Sequence, residues 1–468
     1  MKIQRKNIAL LGVVAWASCQ SNAQKAPQPN IIYILADDLG YGDLSCYGQQ
    51  RFTTPNLDRM AARGMRFTDH YAGCAVSAPS RCALMTGLHT GHCTVRENNS
   101  TLTGKRVDLL PTDITIAARL KEQGYATAAF GKWGLGKDKS DAVPTRKGFD
   151  RYVGFLDQKD AHNHYPPFMH WDEKKVMIPE NQEKQMGIYS NDVFTEEAKK
   201  FIRENRENPF FIYLPYTIPH AELAVPEEDF APFRDKFLPE TPFVPKPGAT
   251  YRYSEQPHAS FVGMITRMDR QIGEILALLE ELGIDKNTLV LFSSDNGPHD
   301  AGGGDPGYFN GSAGRRGIKR DLYEGGIRIP FIAWWPGTIR EGSVSEHPSV
   351  FYDMMPTFCE LAGAPIPANT DGISIVPTLL QKGRQKTHEV LYWEFPRSRG
   401  TAQAVRIGHF KIMRIDVNEP IEVYDISKDY AEQNDLAAQR PDLVKRGAEL
   451  FLSMRTPNPL FPVQGLDR

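Results

Sequence analysis

The chain has 468 residues, of which 41% are hydrophobic and 24% charged, and this is enough apolar material for a large core and a smaller second unit. The formal net charge is −2, so charge gives no argument for nucleic acid or an anionic membrane surface as a partner, and neither is expected. A total so close to neutral still allows a local basic pocket that binds a small anion.

The N-terminal segment 1–24 has the pattern of an export signal. A basic start precedes a short apolar run at 8–17, and small and polar residues follow it. The run is too short to cross a bilayer, so a cleaved signal is predicted in place of a membrane helix. The letters Trp-Ala-Ser-Cys resemble a bacterial lipobox that would put a lipid on Cys19, and ordinary cleavage after Ala23 is the alternative. Both routes predict export.

Strand patterns and helix patterns alternate along the first 385 residues. Apolar runs bounded by turn residues predict buried strands, and Pro at a first helical position or Gly beyond a last one marks the helices. In chain order the predicted elements are a strand at 30–36, a helix from Thr54-Pro55 to Gly64, a helix at 113–120, strands at 126–130 and 209–214, a helix at 260–282 and a strand at 288–292. This alternation predicts an α/β fold with a large, mostly parallel sheet between helices.

The pattern changes from about residue 386. Short strand-like segments lie at 390–395, 404–407, 409–413 and 422–424, and a helix is predicted at 441–454. They predict a small antiparallel sheet with a helix. We therefore divide the mature chain into an N-terminal α/β domain at 25–385 and a C-terminal α+β subdomain at 386–468.

Polar side chains collect directly after four of the predicted strands, where open α/β sheets bind their ligands. These residues are Asp37, Asp38, Lys132, His220, Asp295 and Asn296. Carboxylate and amide oxygens suit Ca²⁺ or Mg²⁺ better than zinc or copper. An Asp-Asp pair after a strand is more often a turn or a helix cap, but the second Asp-containing pair favours a metal site.

The segment Ser77-Ala78-Pro79-Ser80-Arg81, followed by Thr86-Gly87, resembles the signature of the sulfatase family: Cys or Ser, any residue, Pro, Ser, Arg and a helix ending in Thr-Gly. An ordinary helix with Pro in its first turn and Gly as its C-cap also explains the segment. That interpretation does not account for Arg81 or for the other family motifs, which run from the Asp-Asp strand to Val423–Asp425.

The resemblance implies an alkaline-phosphatase-like fold and a nucleophile that is made after translation. A radical-type maturation enzyme would oxidise Ser77 to formylglycine, whose hydrated aldehyde attacks sulfur. A serine would leave a stable sulfate ester, whereas the second hydroxyl of the hydrate can expel sulfate.

The resemblance also assigns roles to the residues at the strand ends. Ca²⁺, preferred to Mg²⁺, would be held by Asp37, Asp38, Asp295, Asn296 and the residue made from Ser77. Arg81 would hold the nucleophile, Lys132 and Lys319 would bind sulfate oxygens, and His220 would protonate the leaving alcohol. A lysine after a strand is usually exposed and a single histidine is usually structural, so these three residues rest on the family motifs.

One position departs from the family pattern. Many sulfatases read Gly-Lys-Trp-His-Leu-Gly, and this chain has Gly134 in place of the histidine. His162 and His164 are the candidates for replacing it, and we expect His162 to contact sulfate or the sugar. A polar surface loop is the alternative interpretation of this segment.

The combination of export and a sulfatase core resembles the carbohydrate sulfatases of Gram-negative glycan-degrading bacteria, which lie in the periplasm or on the surface as lipoproteins. It implies a sulfated saccharide as the substrate, with sulfated galactose or N-acetylgalactosamine favoured. Trp393 and Glu394 are either subsite residues or buried between the subdomains. Two alternatives remain: a phosphate or phosphonate monoester hydrolase of the same superfamily, and a non-catalytic glycan-binding protein in which Ser77 stays unmodified.

Overall fold

The computed structural model of the protein describes residues 28–397, 400–463 and 465–467. The predicted export signal at 1–24, with Cys19 and both cleavage sites, lies outside these residues. Among the described residues, no helix combines the length and the apolar character that a membrane crossing needs.

The strands follow one another from the start of the described chain into its last quarter. They are β1 (Asn30–Asp37), β2 (Met65–Phe67), β3 (His70–Tyr71), β4 (Ala126–Lys132), β5 (Arg151–Phe155), β6 (Phe168–Trp171), β7 (Lys174–Met177), β8 (Phe210–Pro219), β9 (Thr288–Ser294), β10 (Phe331–Trp334), β11 (Ser343–Ser345), β12 (Ser349–Val350), β13 (Leu391–Arg397), β14 (Gly400–Ile407), β15 (Phe410–Arg414) and β16 (Glu422–Asp425).

The α-helices lie between these strands and after the last of them. They are α1 (Pro55–Ala62), α2 (Ser77–Thr86), α3 (Ile116–Lys121), α4 (Ser190–Asn205), α5 (Glu227–Phe230), α6 (Pro257–Glu281), α7 (Glu324–Ile327), α8 (Met354–Ala362), α9 (Val376–Leu380) and α10 (Pro441–Ser453). The helix predicted from residue 113 begins at Ile116, because Thr115 caps it by accepting a hydrogen bond from the Ala118 N–H at 3.2 Å.

A ten-stranded sheet forms the centre of the molecule, in the order β11-β2-β10-β9-β1-β8-β4-β5-β6-β7. The five strands from β9 to β5 are parallel, whereas β10 and β6 pair antiparallel at the two sides of this block. All eight residues of β1 are buried, as expected for a central strand with helices on both faces. The predicted α/β fold with a mostly parallel sheet is confirmed.

Helices cover both faces of the sheet, and β1 shows the division. Its alternate side chains Ile32, Ile34 and Ala36 join a core cluster with α1, α4 and α6. The other side chains of β1 face a second cluster, which includes α2, α3 and α8. The helix that begins at Ser77 therefore lies on one face of the sheet, close to the carboxyl end of β1.

The C-terminal strands form an antiparallel sheet in the order β13-β14-β15-β16, and α10 packs against it. This confirms the predicted small sheet with its helix. The predicted boundary at 385 and 386 falls between α9 and β13, and it stays a prediction. A hydrophobic cluster is shared by both sides of this boundary, with Tyr71 and Tyr323 from one side and Trp393 and Met413 from the other.

Candidate active site

The carboxyl ends of three neighbouring strands meet beneath one cavity. The register places Ala36 of β1 opposite Ser294 of β9, and Asp37 opposite Pro219 of β8. The residues that continue these strands, including Asp295 and His220, are therefore brought together although they are far apart in the chain.

The turn after β1 is fixed by side chains that follow β9. The Asp38 N–H donates to Oδ1 of Asp295 at 3.0 Å, and the Leu39 N–H donates to the Ser294 hydroxyl at 2.9 Å. Asp38 has a φ of +65°, a left-handed conformation that aspartate adopts more readily than most residues. These bonds hold the Asp38 carboxylate at the strand end.

Helix α2 presents Ser77 to the same place. Ser77 is its first residue, and the Ser77 hydroxyl donates to Oδ1 of Asp37 at 3.1 Å. All ten residues of the helix are buried, so its N-terminus can aim positive backbone dipoles at an anion in the cavity.

Arg81 lies one turn further along α2 and connects two strand ends by hydrogen bonds. Its Nε and Nη2 donate to Oδ2 of Asp295 at 3.0 and 2.8 Å, and Nη1 donates to the Lys132 carbonyl at 2.9 Å. Burial alone would lower the pKa of this guanidinium, but the Asp295 carboxylate raises it above its ordinary value. Arg81 is therefore a fixed cation beneath the site.

Two lysines bring positive charge to the base of the cavity. Lys132 Nζ donates to Oδ2 of Asp37 at 2.7 Å and lies 3.3 Å from the Ser77 hydroxyl oxygen. Lys319 Nζ donates to Oδ2 of Asp38 at 2.6 Å. Burial lowers the pKa of Lys132. Burial also opposes the charge of Lys319, but the carboxylates around it, Asp38 first and then Asp37 and Asp295, together raise the pKa of Lys319. The two ammonium groups face the same small volume.

His220 follows β8 and points one ring nitrogen at this volume. Nδ1 hydrogen-bonds the Ala221 carbonyl, so Nδ1 carries the proton of the neutral ring, and Nε2 lies 3.4 Å from Oδ2 of Asp38. Burial, and next the charge of Lys319, lower the pKa of His220 well below its usual range.

The oxygen donors at the strand ends fit a hard divalent cation. Asp37 and Asp38, with His220, place candidate ligand atoms within 4.8 Å of one another. Asn296 donates through Nδ2 to Oδ1 of Asp38 at 2.7 Å, but its Oδ1 is buried without a hydrogen-bond partner among the described residues. A buried amide oxygen without a donor is costly unless an ion binds it. Asp37, Asp38, Asp295 and Asn296 could therefore hold Ca²⁺ or Mg²⁺.

A cavity of about 480 Å³ opens above Ser77. Its basic lining residues are Arg106, Lys132, Lys159, Lys319 and Arg320, against the acidic Asp157 and Asp300. A cavity of this size with an excess of positive charge suits a small anionic group attached to a larger polar body.

The two histidines that the sequence offered as replacements at position 134 have different environments. The His162 ring lines the cavity and stacks on the His220 ring with centroids 4.4 Å apart. Burial, and next Lys132, lower the pKa of His162 to about 3. His164 is not among the residues that line the cavity: its ring nitrogens hydrogen-bond Thr217 Oγ1 at 3.1 Å and the His220 carbonyl at 2.9 Å. His164, offered as a candidate for replacing the histidine absent at position 134, instead supports His220, because both of its ring nitrogens are used and none is left for a substrate.

Sequence reasoning missed several residues that line the cavity, namely Asn98, Asn99, Arg106, Gln158, Tyr251 and His299. His299 follows the Asp-Asn pair by three residues, so its position after β9 was a usable signal. Tyr251 lies in a long irregular segment without any periodic pattern, and only the folded structure identifies it.

Trp393 and Glu394 are buried between the two subdomains and do not line this cavity. Trp393 Nε1 donates to the Ala72 carbonyl at 2.9 Å. Glu394 accepts hydrogen bonds from Arg96 at 3.1 Å and from Arg455 at 2.6 Å. The structural alternative is therefore the correct one for this pair.

Comparison with known proteins identifies relatives over nearly the full chain. The sequence model of the sulfatase family matches residues 29–364, and that of the C-terminal region of N-sulphoglucosamine sulphohydrolase matches residues 315–449. An N-acetylgalactosamine-6-O-sulfatase of Bacteroides thetaiotaomicron is 30% identical over 93% of this chain and 95% of its own. An arylsulfatase of Hemicentrotus pulcherrimus is 32% identical over 89% of this chain and 73% of its own.

Solved structures give the same result. Ps i-CgsB in complex with k-i-k-neocarrahexaose superposes with a TM-score of 0.77 at 28% identity, covering 91% of this chain and 92% of its own. The phosphonate monoester hydrolase of Agrobacterium radiobacter superposes with a TM-score of 0.65 at 22% identity, covering 91% and 95%, and shares the fold. Because the family match includes the strand ends and the helix beneath the cavity, the chain belongs to the sulfatase family and is a sulfuric ester hydrolase with the alkaline-phosphatase-like fold.

Proposed function

We propose that the protein removes sulfate from a sulfated saccharide, with sulfated galactose or N-acetylgalactosamine favoured, through a formylglycine made from Ser77. The observation that carries this proposal is the place of the Ser77 hydroxyl, 3.1 Å from Asp37 and 3.3 Å from Lys132 at the base of a basic cavity. The similarity to an N-acetylgalactosamine-6-O-sulfatase and to a structure with a bound carrahexaose supports a carbohydrate substrate.

A formylglycine hydrate supplies two hydroxyl groups on one carbon, so that sulfate accepted by one can be expelled by the other. The residues around Ser77 suit both stages. Lys132 donates to the oxygen at this position and to Asp37, which keeps the attacking group oriented. Arg81 holds Asp295 in place from below. Substrate binding and nucleophile orientation therefore depend on the same base of the cavity.

Lys132 and Lys319 bind the anion in this proposal. Both ammonium groups lie at the base of the cavity and can donate to sulfate oxygens, where negative charge increases during attack. His220 protonates the leaving alcohol from Nε2 as an imidazolium, because in the neutral ring the single proton stays on Nδ1, which donates to the Ala221 carbonyl. Nε2 must therefore take up a proton, 3.4 Å from Oδ2 of Asp38, before it can pass one to the alcohol. His162, stacked on His220, contacts the sulfate or the sugar.

Asp37, Asp38, Asp295 and Asn296 would hold a divalent cation, whose positive charge would favour ionisation of the attacking hydroxyl and neutralise sulfate oxygens. The buried, unpaired Asn296 Oδ1 supports this assignment. Calcium is preferred because of the family resemblance. We further propose export to the periplasm or to the cell surface as a lipoprotein, and a radical-type maturation enzyme as a partner.

The test is to express the protein with a serine-competent maturation enzyme and to assay a panel of defined sulfated saccharides. We expect the tryptic peptide 67–81 to be lighter by the mass of two hydrogen atoms. Sulfate release should fall by about a thousandfold or more in the Ser77→Ala variant. A chelator should abolish release, and Ca²⁺ should restore it better than Mg²⁺.

Matched phosphate and phosphonate monoesters serve as the control substrates. Faster turnover of these esters than of sulfates would overturn the proposal in favour of a phosphate or phosphonate ester hydrolase. Glycan binding without turnover, together with an unmodified Ser77, would instead indicate a binding protein. Full activity with an unmodified Ser77 would overturn the mechanism.

A further inference from the structure

The backbone at Gly134 leaves a space that another residue fills. Gly134 follows β4 by two residues and has a φ of +76°. A Cβ built on Gly134 would overlap Nε2 of Gln158 and would lie 3.2 Å from its Cδ. The carboxamide of Gln158 therefore occupies the volume in which a side chain at position 134 would begin.

The backbone that leads into Gln158 is held in place by Arg106. The preceding residue, Asp157, accepts a hydrogen bond from Arg106 Nη1 at 2.8 Å, and Arg106 Nη2 donates to the Gly136 carbonyl at 2.7 Å and to the Leu156 carbonyl. Arg106 thus ties the loop of Gln158 to the segment that follows β4. A side chain on a fixed loop loses little freedom when it binds a ligand.

The Gln158 carboxamide is available to a substrate. It lines the same cavity as Ser77 and Lys132 and is half-buried. Nε2 makes one long contact with the Gly134 carbonyl, at 3.5 Å, and Oε1 accepts no hydrogen bond from any of the described residues. An amide does not titrate, so it exchanges no proton with substrate, but it offers one acceptor and two donors.

We propose that Gln158 is a specificity-determining residue that hydrogen-bonds a hydroxyl or acetamido group on the sugar that carries the sulfate. This inference rests on the proposed carbohydrate sulfatase function. Gly134 has an indirect part, since only a residue without a Cβ leaves room for the carboxamide. The glycine at position 134 and the glutamine at position 158 therefore belong together, because the side chain that is absent at Gly134 leaves the space that the Gln158 carboxamide fills.

The first experiment compares wild type with Gln158→Leu, which keeps the approximate size and removes the hydrogen bonds. Its substrates are the saccharide turned over best in the panel and 4-nitrophenyl sulfate, which has no sugar hydroxyl. We expect kcat/KM for the saccharide to fall about tenfold and that for the aryl sulfate to change less than about twofold. Gln439→Leu, an exposed substitution outside the cavity, should change neither value.

Binding provides a readout that needs no turnover. In the Ser77→Ala protein, adding Gln158→Leu should raise the Kd for N-acetylgalactosamine 6-sulfate by about tenfold. Isothermal titration calorimetry measures this Kd. An unchanged Kd together with an unchanged substrate ratio would overturn the inference and leave the proposed function standing. If the wild type releases sulfate from no saccharide, the proposed function itself has failed.

The second experiment tests whether a side chain at position 134 and the Gln158 carboxamide compete for the same space. Gly134→Ala should push the Gln158 carboxamide away and reduce the saccharide-to-aryl ratio as Gln158→Leu does. In a Gln158→Gly background, where the space is empty, the same Gly134→Ala change should leave the ratio unaltered. The strain of alanine at a positive φ is the same in both backgrounds and cancels. If Gly134→Ala changed the saccharide-to-aryl ratio equally in the two backgrounds, the inference that Gln158 depends on the space at Gly134 would be overturned.

Discussion

Asp43 is a buried carboxyl group that has only one hydrogen-bond donor. Its Oδ2 accepts from the Gly40 N–H at 2.7 Å, and its Oδ1 has no partner among the described residues. Burial raises the pKa of Asp43 to about 7. The folded state therefore favours the protonated acid, and this contribution to stability is complete below the unfolded pKa of about 4 and is lost as the pH rises towards 7.

We expect Asp43→Asn to stabilise the protein at pH 8 more than at pH 5. Asparagine keeps an acceptor for the Gly40 N–H and carries no charge to bury, so the advantage should grow by roughly 2 kcal/mol between these pH values. Chemical denaturation at both pH values measures it. The exposed Asp138→Asn variant should show no such trend, and an advantage of Asp43→Asn that does not depend on pH would contradict the assignment.

Among single residues, the candidate metal ligands could be predicted from the sequence, and the proposed specificity residue could not. Asp37 and Asp295 follow strands that an apolar run identifies, and the rule for parallel sheets then places both at one edge. Gln158 follows a short strand without a clear sequence pattern. Its importance comes from a contact with Gly134, and no single-residue pattern encodes such a contact.

Helix α2 connects Ser77 to the core, and its C-terminus is as constrained as its start. Gly87, the C-cap, has a φ of +72°, and a Cβ there would lie 2.6 Å from Cβ of Met355 and 2.8 Å from Oγ1 of Thr370. The first contact is with an atom bonded to the backbone, which does not move freely. The end of the helix is therefore closely packed against the segment around α8.

We expect Gly87→Ala to destabilise the protein by about 3 kcal/mol, the sum of left-handed strain and overpacking. Gly124→Ala is the matched control, because Gly124 has a φ of +87° with nothing within 4 Å of a built Cβ. The control should lose only about 1 kcal/mol. Thermal unfolding of both variants measures the difference, and equal losses would show that the contacts with Met355 and Thr370 do not matter.

Among the elements, the buried central strands were predictable and the sheet edge was not. The runs at 30–36, 126–130, 209–214 and 288–292 all correspond to strands in the block around β1. Strand β7 is exposed along its whole length and reads Lys-Lys-Val-Met, so its sequence has no apolar alternation. Edge strands of this kind are formed by pairing with a neighbour that is already in place.

Across the whole molecule, Glu394 joins the C-terminal sheet to the larger domain. Its carboxylate accepts from Arg96 on one side of the boundary and from Arg455 on the other, and its N–H donates to Thr90 Oγ1 at 2.7 Å. The side chains of Glu394, Arg96 and Arg455 are almost fully covered and lie beside the shared cluster around Trp393. The two units therefore depend on each other for stability.

We expect differential scanning calorimetry of the protein to show one unfolding transition. Glu394→Gln should lower the free energy of unfolding by about 3 kcal/mol and move the whole transition to lower temperature, because it leaves the buried Arg96 guanidinium without a carboxylate and Arg455 with Asp467 alone. Glu389→Gln, an exposed substitution on the same segment, should have little effect. Two separate transitions, of which only the smaller moved, would show that the subdomains unfold independently.

The complete burial of α2 also limits when Ser77 can be modified. Ser77 is 2% exposed and Arg81 is 0% exposed, so the folded surface offers no length of backbone on which a second protein could act. A maturation enzyme that recognises the residues around Ser77 must therefore reach them before the sheet and its covering helices assemble. If the chain is exported and Ser77 is oxidised as proposed, oxidation, folding and translocation have to occur in a set order, because protein that folds first would keep an unmodified Ser77.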